Sequence, residues 1–99
     1  MRVNANTYTQ IVQCVNECTA NYCASALYDA STYSASEQAQ LAEQLQQRDE
    51  DVAYINNALA QFARTRNVDK LMQHISALDT FVRDYYADVI YNYNNEEWD

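Results

Sequence analysis

Apolar and polar residues follow one another along this chain with a helical period. The clearest run is Asn67 to Tyr93, where Val68, Leu71, Ile75, Leu78, Val82, Tyr85 and Val89 succeed one another in steps of three and four. That spacing places all of them on one stripe of an α-helix. Earlier, Tyr8, Ile11, Val12, Val15, Cys18, Tyr22 and Ala26 form a similar face, widened by Leu27. Between the two lies a seam of Leu41, Leu45, Val52, Ile55, Leu59 and Phe62. Arg48 occupies the step between Leu45 and Val52. An arginine there either snorkels out to solvent or meets a carboxylate, and its long stem makes snorkelling the simpler expectation.

End signals divide these faces into elements. Asn6 or Thr7 is placed to cap a first helix, Ser34 and Glu37 match the Ser-x-x-Glu capping box, and Asn67 caps a third helix with Asp69 in its first turn. The pattern predicts one helical domain over residues 1–99, with helices at 7–30, 35–64 and 68–93. Residues 1–6 read as frayed, and 94–99 as an acidic tail. The expected fold is all-α: three main long amphipathic helices, each about 40 Å long at ~1.5 Å per residue. Short connections favour antiparallel neighbours, hence a bundle or hairpin. Met72, Phe81, Tyr86 and Ile90 flank the third stripe and make it wider than two partner helices need. A homodimer is the expected way to bury the surplus.

Composition narrows the function. A chain of 99 residues with no Gly and no Pro lacks the usual residues of β-hairpin turns, phosphate-binding loops and helix C-caps. The formal net charge is −8, and Lys70 is the single lysine. Without a basic stripe, nucleic-acid binding is disfavoured. No apolar run approaches the ~20 residues of a membrane span. The opening MRVNANTYTQ carries no secretory or lipidation pattern. A soluble, cytosolic protein is expected.

The chemistry-bearing residues converge poorly. Cys14, Cys18 and Cys23 share the first helix as C-x3-C-x4-C, which is neither a zinc spacing nor a geometry suited to a disulfide within one helix. They read as small buried hydrophobes, with an intermolecular disulfide as the alternative. His74 belongs to no metal motif and reads as a flank histidine bonded to a neighbouring helix. Asp49, Glu50 and Asp51 are consecutive, so they diverge on a helix rather than pair as acid and base. No nucleophile motif is present. Catalytic residues, cofactors and metals are therefore assigned to none, and an enzyme assembled across a dimer from His74, tyrosines and acids is the weakest reading.

Nine tyrosines are the least ordinary feature. Their rings offer large contact area with a polar tip, which suits interfaces. Tyr85, Tyr86, Tyr91, Tyr93, Phe81 and Trp98 are the candidate residues for a protein interface or a ligand cleft. The expected function is a non-enzymatic interaction protein acting as a dimer through Tyr-rich surfaces. The alternative is a small-molecule-binding module with its cleft between helices or at the dimer interface.

The opening MRVNANTYTQIVQCVNECTANYC and the ending YADVIYNYNNEEWD resemble the small helical proteins of lipothrixviruses. These are filamentous, enveloped viruses of hot acid springs, of the Acidianus filamentous virus type. The resemblance carries no catalytic or binding motif, so it transfers no functional residue. It implies a viral protein made in the cytoplasm of an infected archaeal cell, and a thermostable one. Intracellular disulfides occur in hyperthermophiles, which favours a pairing role for Cys14, Cys18 and Cys23 in that setting.

Overall fold

The computed structural model describes residues 2–32 and 34–98, without the side chains of residues 26–32 and 38–40. Tyr33, and the side chains of Ala26, Leu27 and Tyr28, lie outside the described residues. The fold is all-α, as the periodicity predicts. Helix α1 covers Ala5–Thr32, α2 Ala35–Thr65, α3 Val68–Ser76, α4 Thr80–Arg83 and α5 Ala87–Asn94, with a 3-10 turn at Asp84–Tyr86 between the last two. The molecule measures 49 × 21 × 20 Å. Its long axis is about what α2 alone requires at ~1.5 Å per residue.

The starts of the helices follow the caps, with two corrections. Asn4, not Asn6 or Thr7, begins α1: its Oδ1 accepts from the Thr7 backbone N–H at 2.8 Å. Residues 2 and 3 are tied down rather than frayed. Arg2 forms an isolated bridge with Asn67, and Val3 N–H donates to Arg66 O at 2.9 Å. Ser34 precedes α2 in extended conformation but makes no side-chain cap bond, so the capping box does not close. Instead its hydroxyl lies 3.3 Å from that of Ser36. Asn67 does cap α3, accepting from the N–H groups of Asp69 and Lys70. With no Gly available, Arg66 takes the left-handed position after α2, at φ 52°. That conformation costs a non-glycine residue roughly 1–2 kcal/mol. The Arg66 guanidinium lies 5.4 Å from the Tyr8 ring centroid, a contact that offsets part of the cost.

The main departure from expectation lies in the third segment. Residues 68–93 do not form one helix. The chain leaves helical geometry after Ser76 and restarts at Thr80. Leu78 stays buried through the break, and the Arg83 guanidinium reaches back to Ser76 O at 3.1 Å and Thr80 Oγ1 at 3.3 Å. The break changes the packing partner. Before it, α3 packs on α2; after it, the 3-10 turn and α5 pack on α1. A straight helix would keep one flank in solvent, whereas the broken one lays different flanks on different neighbours. Met72 and Tyr86, two of the surplus residues, are thereby buried at 5% and 0% exposure.

The core is one cluster contributed by every long element. Ile11, Val15, Cys18 and Tyr22 come from α1, Ile55, Ala58 and Phe62 from α2, and Val68, Leu71, Met72 and Ile75 from α3. Leu78 from the break and Val82, Tyr86 and Val89 from the last segment complete it.

Candidate interaction surface

Tyrosines join the end of α1 to the segment after the break. Tyr22 is buried on α1, and its ring lies 4.9 Å from that of Tyr85, tilted by 46°. The Tyr85 hydroxyl donates to Ser25 Oγ at 3.0 Å. Phe81, one turn before Tyr85, meets it edge to face at 5.9 Å and 79°. Such tilted and edge-on pairs suit the quadrupoles of aromatic rings. Phe81 is nevertheless 65% exposed, because Val82 beside it takes the inward position.

The other face of Tyr22 holds Arg48, whose guanidinium carbon stands 4.8 Å from the ring centroid. This corrects the expectation that Arg48 snorkels outward. The side chain turns onto an aromatic face, and its Nε is buried without a hydrogen-bond partner. The Tyr22 hydroxyl donates to Asp51 Oδ2 at 2.9 Å, and Gln47 Nε2 donates to Asp51 Oδ1 at 3.3 Å. Burial, and then the hydrogen bond to the Asp51 carboxylate, push the Tyr22 phenol up to about 12. Of the three consecutive acids, Asp51 is thus drawn into the fold, while Asp49 and Glu50 remain exposed.

These residues border a cleft of about 420 Å³ between α2 and the start of α4. Tyr22, Arg48 and Asp51 line one side, with Asp79, Phe81 and Val82 opposite. Asp79 holds the N-cap position of α4, yet its carboxylate makes no capping hydrogen bond. A wider hollow of about 780 Å³ lies between the N-terminal segment and the tail, bordered by Arg2, Asp69, Tyr93, Glu96 and Trp98. There the Tyr93 hydroxyl donates to Asp69 Oδ1 at 2.6 Å, and this bond raises the Tyr93 phenol above its usual range. The Trp98 indole nitrogen is buried without a partner. Met1 and Asp99 lie outside the described residues.

The six aromatic candidates are therefore distributed over separate places. Phe81 and Tyr85 border the α4 region, while Tyr93 and Trp98 border the terminal hollow. Tyr91 is 60% exposed on α5. Tyr86 belongs to the core, with its hydroxyl 2.9 Å from Thr19 Oγ1. Spacing along the sequence carries no signal for Arg48 on Tyr22, because that contact depends on the register of α2 against α1.

The remaining chemical candidates are quiet. Cys14, Cys18 and Cys23 are free, with Cys18 buried. Burial pushes the thiols of Cys14 and Cys18 up, Cys18 to about 12, which favours protonated thiols over nucleophilic thiolates. His74 meets Tyr54 of α2, whose hydroxyl donates to His74 O at 3.0 Å and lies 3.4 Å from Nδ1. Among the described residues, no group of three or more His, Cys, Asp and Glu is placed to hold a metal ion. No helix among them is long and apolar enough to cross a membrane. Compared with known protein families, curated proteins and solved structures, the chain matches none.

Proposed function

We propose that this chain is a non-enzymatic interaction protein, viral by the resemblance of its two ends, that joins another protein chain through aromatic side chains. Phe81 carries the reading: a ring 65% exposed, in a fold that draws Tyr86 and Tyr22 inside. Burying such a side chain is worth about 1.5–3 kcal/mol, which a partner's surface can recover. The first partner in this reading is a second copy, with the two Phe81–Tyr85 edges set together. The scaffold is an antiparallel arrangement of α1, α2 and the broken third segment, and the setting is the cytoplasm of an infected archaeal cell.

The fold narrows what such a dimer can use. Met72 and Tyr86 are spent inside the chain, leaving Phe81 and Tyr91 as the most exposed large apolar side chains described. Two copies carrying −8 each also repel. Pairing should therefore strengthen as salt screens the charge.

Solution mass by light scattering tests this, with and without reductant. The parent chain is expected to move from monomer toward dimer between ~0.01 and ~1 M salt, regardless of reductant. Phe81→Ser should stay monomeric. A parent that remains monomeric at every salt concentration, or a Phe81→Ser chain that pairs equally well, overturns the homodimer. A dimer lost only in reductant transfers the role to the cysteines.

The cleft beside Phe81 favours a second reading, a small-molecule-binding module. Its volume of about 420 Å³ falls inside the usual range for ligand pockets, ~300–1,000 Å³.

A further inference from the structure

The cleft between α2 and α4 holds one complete cation–ring–carboxylate unit and, beside it, a second ring and carboxylate with no stacked cation described. The complete unit is Arg48, Tyr22 and Asp51: a guanidinium over an aromatic face, whose hydroxyl is anchored by a carboxylate. Across the same cleft stand Phe81, a ring 65% exposed, and Asp79, whose carboxylate is not used to cap its helix. Among the described residues no cation stacks on the Phe81 ring as Arg48 does on that of Tyr22. Resting on the reading of this chain as an interaction protein, we propose that this cation comes from a partner. The Phe81–Asp79 side of the cleft seats an arginine side chain presented by a basic segment of another protein.

Charge complementarity selects this occupant. A chain of net charge −8 attracts basic segments over several ångströms and turns acidic ones away. Arginine suits the site better than lysine, since its planar guanidinium stacks on a ring while its edge N–H groups still reach a carboxylate. Arg48 on Tyr22 is the internal precedent for that geometry. Arg48 lines the same cleft, but the carboxylates of Asp51 and Asp79 outweigh its single charge, so an anionic ligand is disfavoured, and a wholly apolar one would leave both carboxylates facing it. The cleft also lies beside the edge assigned to self-pairing, so the basic partner and the second copy compete. Their salt responses are opposite: added salt strengthens pairing of like-charged copies and weakens docking of a basic segment.

The test is a titration of the isotopically labelled full chain, followed by amide chemical shifts at low salt. The probes are an unstructured peptide with spaced arginines, the same peptide with glutamates in their place, and free arginine amide. The arginine peptide is expected to shift signals around Asp79, Phe81 and Gln44, and to bind more weakly as salt rises. Phe81→Ser should weaken it roughly two- to fivefold, and Asp79→Asn by a similar factor. Asp88→Asn removes the same charge from α5 and should leave binding unchanged. Thermal unfolding of each variant checks that the fold is retained.

Shifts scattered over the acidic tail, or equal weakening by Asp88→Asn, overturn the site and reduce the effect to general charge attraction. Binding of the glutamate peptide overturns the charge argument. Arginine amide binding as tightly as the peptide overturns the protein partner and assigns the cleft to a small cation. If no arginine probe binds but Phe81→Ser still abolishes salt-promoted pairing, this inference fails and the interaction reading stands. If Phe81→Ser changes neither, both fail.

Discussion

The two sides of the core are built differently. The seam between α2 and α3 is largely aliphatic: Ile55, Leu71 and Ile75 pack with Phe62 and Val68. The seam between α1 and the segment after the break is built from tyrosines whose hydroxyls find partners, Tyr86 at Thr19 and Tyr85 at Ser25 across the seam, and Tyr22 at Asp51 of α2. Aliphatic packing is non-directional and tolerates small shifts. Hydroxyl pairs need a set geometry and leave a polar atom stranded when broken. The first seam therefore supplies stability, while the second also fixes how the broken segment lies on α1. That placement turns Tyr86 inward and leaves Phe81 outside.

The comparison breaks most visibly at Tyr86. Its ring is fully buried, and Tyr86→Ala should cost about 3–5 kcal/mol in urea unfolding. Ile75→Ala, on the aliphatic side, should cost about 2–5 kcal/mol. Hydrogen exchange should separate the two, with Tyr86→Ala loosening amides of α5 more than those of α3. Equal loosening of both would mean that the seams are not distinct.

Alkaline pH sharpens the contrast. The Tyr22 phenol is raised to about 12, so the folded state holds the neutral form more tightly than the unfolded chain does. The resulting stability is complete below the ordinary phenol value near 10 and is lost as pH rises through about 12. Cys18, raised from 9.0 to about 12, acts in the same direction. Urea midpoints should therefore fall steeply over this window, and less steeply in Tyr22→Phe. An unchanged slope in that variant would remove Tyr22 from the alkaline response.

Smaller effects belong to the caps. Asn67→Ala removes the acceptor for two backbone N–H groups and should cost about 1 kcal/mol of unfolding free energy. Arg66→Gly relieves a left-handed arginine but gives up its contact with Tyr8. Its net change should stay within ~1 kcal/mol of zero.

The stripe from Val68 to Val89 was legible because buried positions on a helix recur at fixed steps, and Asn67 was legible because its side chain reaches only local N–H groups. The break was harder to see. No Gly or Pro marks it, and its one local sign is Asp79, an N-cap residue type inside an otherwise continuous pattern. Once the chain breaks, the 3-10 turn carries Tyr86 to the centre of the stripe, while Tyr85 is only half-buried. A fixed helical period assigned that inward place to Tyr85. The Arg48–Tyr22–Asp51 unit spans two helices, and no property of either helix alone sets their relative register.

Phe81 being surplus to the fold is the claim on which the functional reading depends. Urea unfolding of Phe81→Ser at low salt, where the chain is expected to be monomeric and association adds no stability, tests it most directly. The expected loss of unfolding free energy is no more than about 1 kcal/mol, the worth of its edge contact with Tyr85. A loss of ~2 kcal/mol or more would place Phe81 in the working core and leave no spare ring for a partner.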